Sequence, residues 1–185
     1  PYLSSGKVND DLKKFLATRY KEGKSDLFAA FILRCLDFSL SKGYLGCINP
    51  YVWMFISSYE KLRDFIITET TITSLIQLEY SGFDGATVPI CTFTLENKCN
   101  SDYKGSYIRL SDFKGAKNQA PKTLEAIKNP NCGWFYRVSA DNFKKIPGSP
   151  IAYWASESVR SSFFYNQKFG EFISPAVGQN TGDND

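Results

Sequence analysis

The chain of 185 residues contains no histidine. That absence removes Ser-His-Asp and Cys-His nucleophile systems and the HExxH zinc site. No GxGxxG loop and no phosphate-cradling GxxxxGK loop occurs, so any cofactor loop lies elsewhere. No apolar run approaches the ~18 residues that a membrane span needs. The first residues lack the basic, apolar and small-residue order of a secretion signal, and a first residue of proline instead of methionine reads as a processed or cut chain. The five cysteines, Cys35, Cys47, Cys91, Cys99 and Cys132, are odd in number, and no two stand at metal-ligand spacing. Three fall inside apolar stretches, where a free thiol behaves as a small hydrophobe. A reducing cytoplasm is their simplest home, and bound metal is neither required nor signalled. Internal repeats are absent as well.

What is present is core material: 43% hydrophobic and 16% aromatic residues. The length fits one ordinary domain or one and a half small ones, and such a chain buries roughly 70% of its extended surface. The net charge of +3 is modest but unevenly spread. Residues 1–100 carry eleven basic and eleven acidic side chains, 101–145 carry nine and four, and 146–185 carry two and four. The central surplus fits phosphate tracking or a solvated connector equally well.

The chain is organised around Ile72–Asn97. Two apolar stretches, Ser74–Tyr80 and Val88–Leu95, flank the loop Ser81-Gly82-Phe83-Asp84-Gly85-Ala86-Thr87. The second is rich in β-branched and aromatic residues, and the pattern predicts a β-hairpin with a longer loop. Phe83 is then either an exposed aromatic of an ordinary hairpin or a ring held at a sheet edge to meet a flat ligand.

Ahead of the hairpin, Asn9 caps a helix over Asp10–Tyr20, with acidic residues in its first turn. Ser25-Asp26 caps a second helix, Leu27–Leu40, with a wide apolar face. Tyr44–Ile48 reads as a short buried strand, and Ser57-Ser58-Tyr59-Glu60 as a capping box opening a third helix. Helix, strand, helix, hairpin is the order of an α/β sheet, with Tyr44–Ile48 parallel to Ser74–Tyr80. After Asn97 come a weak strand Tyr107–Leu110, a helix Pro121–Lys128 with the proline in its first turn, and a strand Trp134–Val138. Pro147-Gly148-Ser149-Pro150 is the clearest break in composition. Ser156–Tyr165 is helical by pattern, and Gly178–Asp185 forms a polar end.

The blocks Lys24–Leu40, Gly43–Arg63, Phe83–Leu95 and Thr181-Gly182-Asp183-Asn184 together resemble the second half of an N6-adenine-specific DNA methyltransferase, in particular the PglX-type enzymes of BREX phage-defence systems. That family carries a catalytic Asn/Asp/Ser-Pro-Pro-Tyr/Phe/Trp loop, and Pro1-Tyr2 match its last two residues. The resemblance implies that the preceding residues and the Gly-rich S-adenosylmethionine loop lie upstream. Pro1 and Tyr2 would then be catalytic, with Tyr2 and Phe83 stacking on the flipped adenine. Asn49-Pro50-Tyr51 is one proline short of the motif and fits the family's segment after its fifth strand better than its active site.

The resemblance implies an α/β fold: the C-terminal half of a Rossmann-like methyltransferase sheet in 1–97, a basic α+β connector in 98–149, and the start of a target-recognition region in 150–185. Family strand order is 3-2-1-4-5-7-6. The chain would hold the last three strands, with Val88–Leu95 antiparallel between the other two. It would bind no S-adenosylmethionine alone and be inactive alone. The exposed edge of Tyr44–Ile48 would drive self-association or be covered by the N-terminal segment. Implied partners are double-stranded DNA and other defence-system subunits, and Lys114, Lys117 and Lys122 are candidate phosphate contacts. Two other functions compete: a non-enzymatic nucleic-acid-binding module, and a hydrolase using carboxylates such as Glu60 and Asp64 or Asp10 and Asp11. Helical acidic pairs are mostly solvated faces, which weakens the hydrolase.

Overall fold

The computed structural model describes residues 2–83, 85 and 88–165, with side chains described as far as residue 163. Pro1, Asp84 and the closing Thr181–Asn184 block lie outside the described residues.

Helix α1 (Asp10–Arg19) is capped by Asn9, whose side chain accepts from the Leu12 amide. Helix α2 (Leu27–Phe38) is capped by Asp26, which accepts from the Phe28 amide. The sequence pattern places both starts. Strand β1 (Tyr44–Pro50) follows, then a single 3-10 turn at Tyr51–Met54. The expected capping box is not used: Ser57–Tyr59 forms a second 3-10 turn, and neither it nor helix α3 (Glu60–Glu69) has a side-chain cap. What fixes this turn is a buried cation that binds its carbonyls. Arg63, only 1% exposed, donates from Nη1 to the carbonyls of Trp53 (2.8 Å) and Ile56 (2.7 Å). Its Nε and Nη2 both reach the Gly148 carbonyl, at 2.9 and 2.6 Å. Burial pulls the Arg63 pKa downward, opposed by the nearby Glu60 and Asp64 charges.

Strands β2 (Thr71–Gln77) and β3 (Ile90–Glu96) form the predicted antiparallel hairpin, pairing Leu75 with Phe93 and Gln77 with Cys91. β3 also pairs antiparallel with β1, so it lies between β1 and β2, which therefore run parallel to each other. Strand β4 (Lys104–Arg109) joins the far side of β2 in parallel, and β5 (Phe135–Ser139) pairs antiparallel with β4. The five-stranded order is β1-β3-β2-β4-β5, so β1 is an edge. Alternation along β2 and β3 divides the side chains between two faces. One face carries Leu75, Phe93, Leu95 and Tyr107 into the main core with Trp53, Leu62, Ile66, Phe143 and Tyr153. The other carries Ile108 with Leu110 onto Ala126 of helix α4.

Helix α4 spans Ala116–Lys128, five residues longer at its start than the sequence suggests. Pro121 therefore sits inside the helix instead of in its first turn. A mid-helix proline costs about 3 kcal/mol by removing one donor, and tertiary bonds override it here. Gln119 is buried and donates to the Phe113 and Gly115 carbonyls, while Trp134 Nε1 donates to the Lys122 carbonyl. Helix α5 (Glu157–Tyr165) follows a 3-10 segment at Ala140–Lys145. The intervening turn packs onto the main core: the Ile151 amide donates to the Met54 carbonyl, and Ile151 and Tyr153 are buried.

Arg63 thus ties the entry of α3 to a turn 85 residues away. Replacing it in this chain by Met keeps the stem volume but orphans the Trp53 and Gly148 carbonyls, while the Ile56 carbonyl keeps its bond from the Tyr59 amide. At about 1–3 kcal/mol per orphaned buried group, Arg63→Met should lower unfolding stability by about 2 kcal/mol or more. Urea denaturation followed by tryptophan fluorescence reads this directly, and an unchanged midpoint would remove the clamp from the account of the fold.

Candidate functional site

Strands β1, β2 and β4 run the same way, so their carboxyl ends share one end of the sheet. Ligands of open α/β sheets bind at such ends. Tyr2 and the Phe83 loop both reach this end.

Tyr2 is positioned by the cap of α2. Asp26 accepts from the Leu3 amide (3.2 Å) as well as from Phe28, and the Leu27 amide donates to the Leu3 carbonyl. The Tyr2 hydroxyl donates to the Ile48 carbonyl of β1 at 3.2 Å, and its ring centre stands 6.4 Å from that of Phe28. The ring remains 59% exposed. Near it, Asn49 and Pro50 are the last residues of β1, opposite Cys91 and Ile90, and lead into the Tyr51 turn.

Phe83 stands 51% exposed in the loop after β2. The base of that loop is fixed by two side chains that sequence reasoning does not single out. Glu79 accepts at Oε2 from the Ser81 amide (3.0 Å), the Ser81 hydroxyl (2.6 Å) and the Gly115 amide (3.1 Å). The Ser81 hydroxyl and the Gly115 amide, assisted by the Lys114 charge, hold the Glu79 carboxyl below its ordinary pKa. Gln119 accepts from the Glu79 amide at 3.1 Å while donating to Phe113 and Gly115. Gly82 packs against this pair: an added Cβ would stand 2.8 Å from both the Gln119 Oε1 and the Glu79 carbonyl oxygen. The residue before Phe83 must therefore be glycine.

Tyr2 lies beside β1 and Phe83 beyond β2, with β3 between those strands. Two interstrand steps amount to roughly 10 Å. Both rings thus belong to the same end of the sheet. The three candidate lysines separate into two kinds. Lys114 and Lys117 are exposed at the start of α4, beside the Glu79 clamp. Lys122 is already engaged: its Nζ is 2.7 Å from Glu125 and 5.0 Å from the ring centres of both Phe113 and Trp134.

The described cysteines are free, and burial pushes the Cys47 thiol up to about 11 and Cys91 to about 12. Such thiols are inert. Among the described residues no group of His, Cys, Asp and Glu is arranged to hold a metal ion, and no helix is long and apolar enough to cross a membrane. The buried polar pair at this end is Gln77 and Tyr153, joined by a 2.8 Å bond from the Tyr153 hydroxyl to Gln77 Oε1.

This mixed sheet is the fold of methyltransferase subunits. It superposes on the type I restriction-modification methyltransferase subunit of Streptococcus thermophilus with a TM-score of 0.54 at 17% identity, over 76% of this chain and 33% of that one. The sequence narrows the class. Residues 1–83 match the family model of the Eco57I restriction-modification methylase. The chain is 35% identical, over all of its length and 16% of the relative's, to the adenine-specific methyltransferase PglX of Lacticaseibacillus casei (strain Zhang). It is 34% identical, over 88% of its length and 13% of the relative's, to the adenine-specific methyltransferase BrxX of Escherichia coli O9:H4 (strain HS). The chain is homologous to one segment of the PglX and BrxX adenine-specific methyltransferases, and it spans less than a fifth of either.

The clamp makes a pH-dependent claim. A carboxyl whose folded pKa is depressed stabilises fully above its unfolded value, near 4.3, and that contribution fades as pH falls through the folded value. Exchange of the Ser81 and Gly115 amides, referenced to peptide rates, should therefore accelerate as the solution is acidified below about pH 4. In Glu79→Gln it should already be fast at pH 7. Equal protection in the variant and the wild type at pH 7 would dismiss Glu79 as the anchor of the loop.

Proposed function

We propose that this chain is the back half of the catalytic domain of a site-specific adenine DNA methyltransferase acting in phage defence or restriction-modification. The observation that carries the reading is the homology of the whole chain to one segment of PglX, together with the placement of Tyr2 and Phe83 at one end of the sheet. In this reading 1–97 belongs to the catalytic domain, 98–149 is a basic connector sharing its sheet, and 150–185 leads into target recognition.

Adenine N6 is a weak nucleophile because its lone pair is delocalised into the ring. Catalysis then consists of orienting that nitrogen and accepting its hydrogens, with positioning supplying most of the rate. S-adenosylmethionine supplies the electrophilic methyl group in line with N6. No GxGxxG-type loop occurs in these residues, so the cofactor is assigned to other segments of the parent, and the chain alone should neither bind it nor transfer methyl. Pro1 and Tyr2 are assigned to the tail of the catalytic loop. Extruding an adenine costs a few kcal/mol, and stacking on Tyr2 and Phe83 returns roughly 1–3 kcal/mol per contact. Rings left half in solvent suit that role.

Double-stranded DNA is the proposed substrate, other defence-system subunits are the proposed partners, and the bacterial cytoplasm is the compartment. The open edge of β1, where Tyr44 is 67% and Ile48 47% exposed, is assigned to pairing with another strand, of the parent or of a second copy. The basic surplus also supports a second reading, a non-enzymatic nucleic-acid-binding module, in which Phe83 would affect binding alone.

Two experiments on the full-length parent follow. Phe83→Ala should reduce methyl transfer to DNA by about 5- to 150-fold, the equivalent of ~1–3 kcal/mol of lost stacking, while leaving S-adenosylmethionine affinity unchanged in calorimetry. A wild-type methylation rate would refute the stacking role. Replacing Lys114, Lys117 and Lys122 together by Gln should flatten the salt dependence of DNA binding, by about 0.9 per lost phosphate contact. With Lys122 held by Glu125, Lys114 and Lys117 should account for most of the change. An unchanged slope would return all three to a solvated surface.

A further inference from the structure

Three arginines among the described residues are not exposed: Arg63, Arg109 and Arg160. Arg63 satisfies its guanidinium with three carbonyls. Arg160 bonds to the Ala155 carbonyl and to Glu157. Arg109 differs. Its Nε is sealed from solvent without a hydrogen-bond partner, and among the described residues it forms no ion pair and no side-chain hydrogen bond. A partly desolvated cation without an anion is costly unless something supplies one.

The position of Arg109 suggests what. It is the last residue of β4, in register with Gln77 at the carboxyl end of the parallel strand β2. Its Cζ lies 4.9 Å from the centre of the Trp154 ring, a cation–π seat that holds the guanidinium against the indole. Trp154 is held edge-on by Phe55 (5.6 Å) and Tyr153 (4.9 Å), and Phe55 in turn by Tyr51 (6.1 Å). The half-buried rings of Tyr51, Phe55 and Trp154 thus form a row from the end of β1 towards the end of β4, closed by Arg109. A planar fork of donors held over an aromatic ring and lacking a protein acceptor matches a phosphate. An aromatic row ending in arginine is also the composition of a nucleic-acid-binding surface.

We infer that Arg109 binds a backbone phosphate of the DNA beside the extruded nucleotide, with Trp154 as the platform that aims it. This rests on the methyltransferase reading above.

The test uses the full-length parent and a fluorescent duplex carrying a site that the wild type methylates, with binding followed by anisotropy across salt concentrations. Failure of the wild type to methylate any DNA would overturn the enzyme reading, and this proposal with it. Given an active wild type, Arg109→Gln should weaken DNA binding ~3–10-fold at 0.1 M salt and lower the salt slope by about one. Arg109→Lys should keep the slope while losing part of the affinity, because it keeps the charge but not the fork. Should the Gln variant melt low, the Lys variant carries the test, and wild-type affinity there would overturn the assignment. Unchanged affinity and slope in a folded Arg109→Gln would do the same. So would a loss of S-adenosylmethionine affinity with an intact slope, which would make the anion the cofactor's carboxylate.

Discussion

The fold turns on one buried guanidinium. Arg63 sits on α3 with no carboxylate bonded to it, and it is neutralised by carbonyl dipoles from the Trp53–Ile56 turns and from Gly148. Burying a charge this way is tolerable only when its donors are well used, because the desolvation penalty amounts to several kcal/mol. The four bonds offset that penalty and also settle two loops that would otherwise leave orphaned carbonyls. Fixing Gly148 next to Trp53 brings the following residues with it: Ile151 bonds to Met54, Tyr153 to Gln77, and Trp154 meets Phe55. A charge at the back of the core therefore decides which aromatic rings face the carboxyl end of the sheet.

The second constraint is the insertion of β3. A strand that pairs antiparallel on both sides keeps β1 and β2 parallel and separates their carboxyl ends by the width of one strand. The long β2–β3 loop has to rise at that end, since β3 must turn back to fill the gap. Glu79 and Gln119 then solve a local problem: a reversal of twelve residues between Gln77 and Ile90 leaves amides without partners. They take those of Glu79, Ser81 and Gly115, joining the loop to the start of α4. Loop placement and helix capping become one interaction, which ties the Phe83 loop through Glu79 to Gly115, 36 positions beyond Glu79.

The sequence is legible where a repeat period or a cap decides the outcome. The hairpin, the α/β order and the Asn9 and Asp26 caps follow from alternation and from side chains that compete for the first free amides. It misleads where a tertiary bond replaces a local one. Ser57 and Glu60 have the spacing of a capping box, yet Arg63 engages the turn instead. Pro121 reads as a helix start, yet Gln119 and the packing of Ala126 extend the helix behind it. Lys122 reads as free charge, yet it is folded over Phe113 and Trp134. Arg63, Glu79, Gln119 and Arg109 share one reason for being missed. Each is a polar residue in or beside a regular element, and its partner lies far away in sequence or, for Arg109, is an aromatic face. No local pattern distinguishes such a residue from one that merely faces water.

The distribution of exposed rings is the last point. A set of large aromatics is spent on the core: Trp53, Phe93, Tyr107, Phe143 and Tyr153 are almost wholly buried, while others, Tyr2 and Phe83 among them, stay exposed. Burying one more large ring stabilises by roughly 1.5–3 kcal/mol, and the chain forgoes this at Tyr2 and Phe83. Single exposed hydrophobics need no explanation, so exposure alone says little. What distinguishes these two is the effort with which their backbones are held. Asp26 accepts from both Leu3 and Phe28 at one end, and Glu79, Gln119 and a sterically required Gly82 fix the other. A half-exposed ring on a well-held backbone has less conformational entropy to lose on binding than one on a mobile loop. The polar scaffold around it supports the stacking role proposed for the two rings.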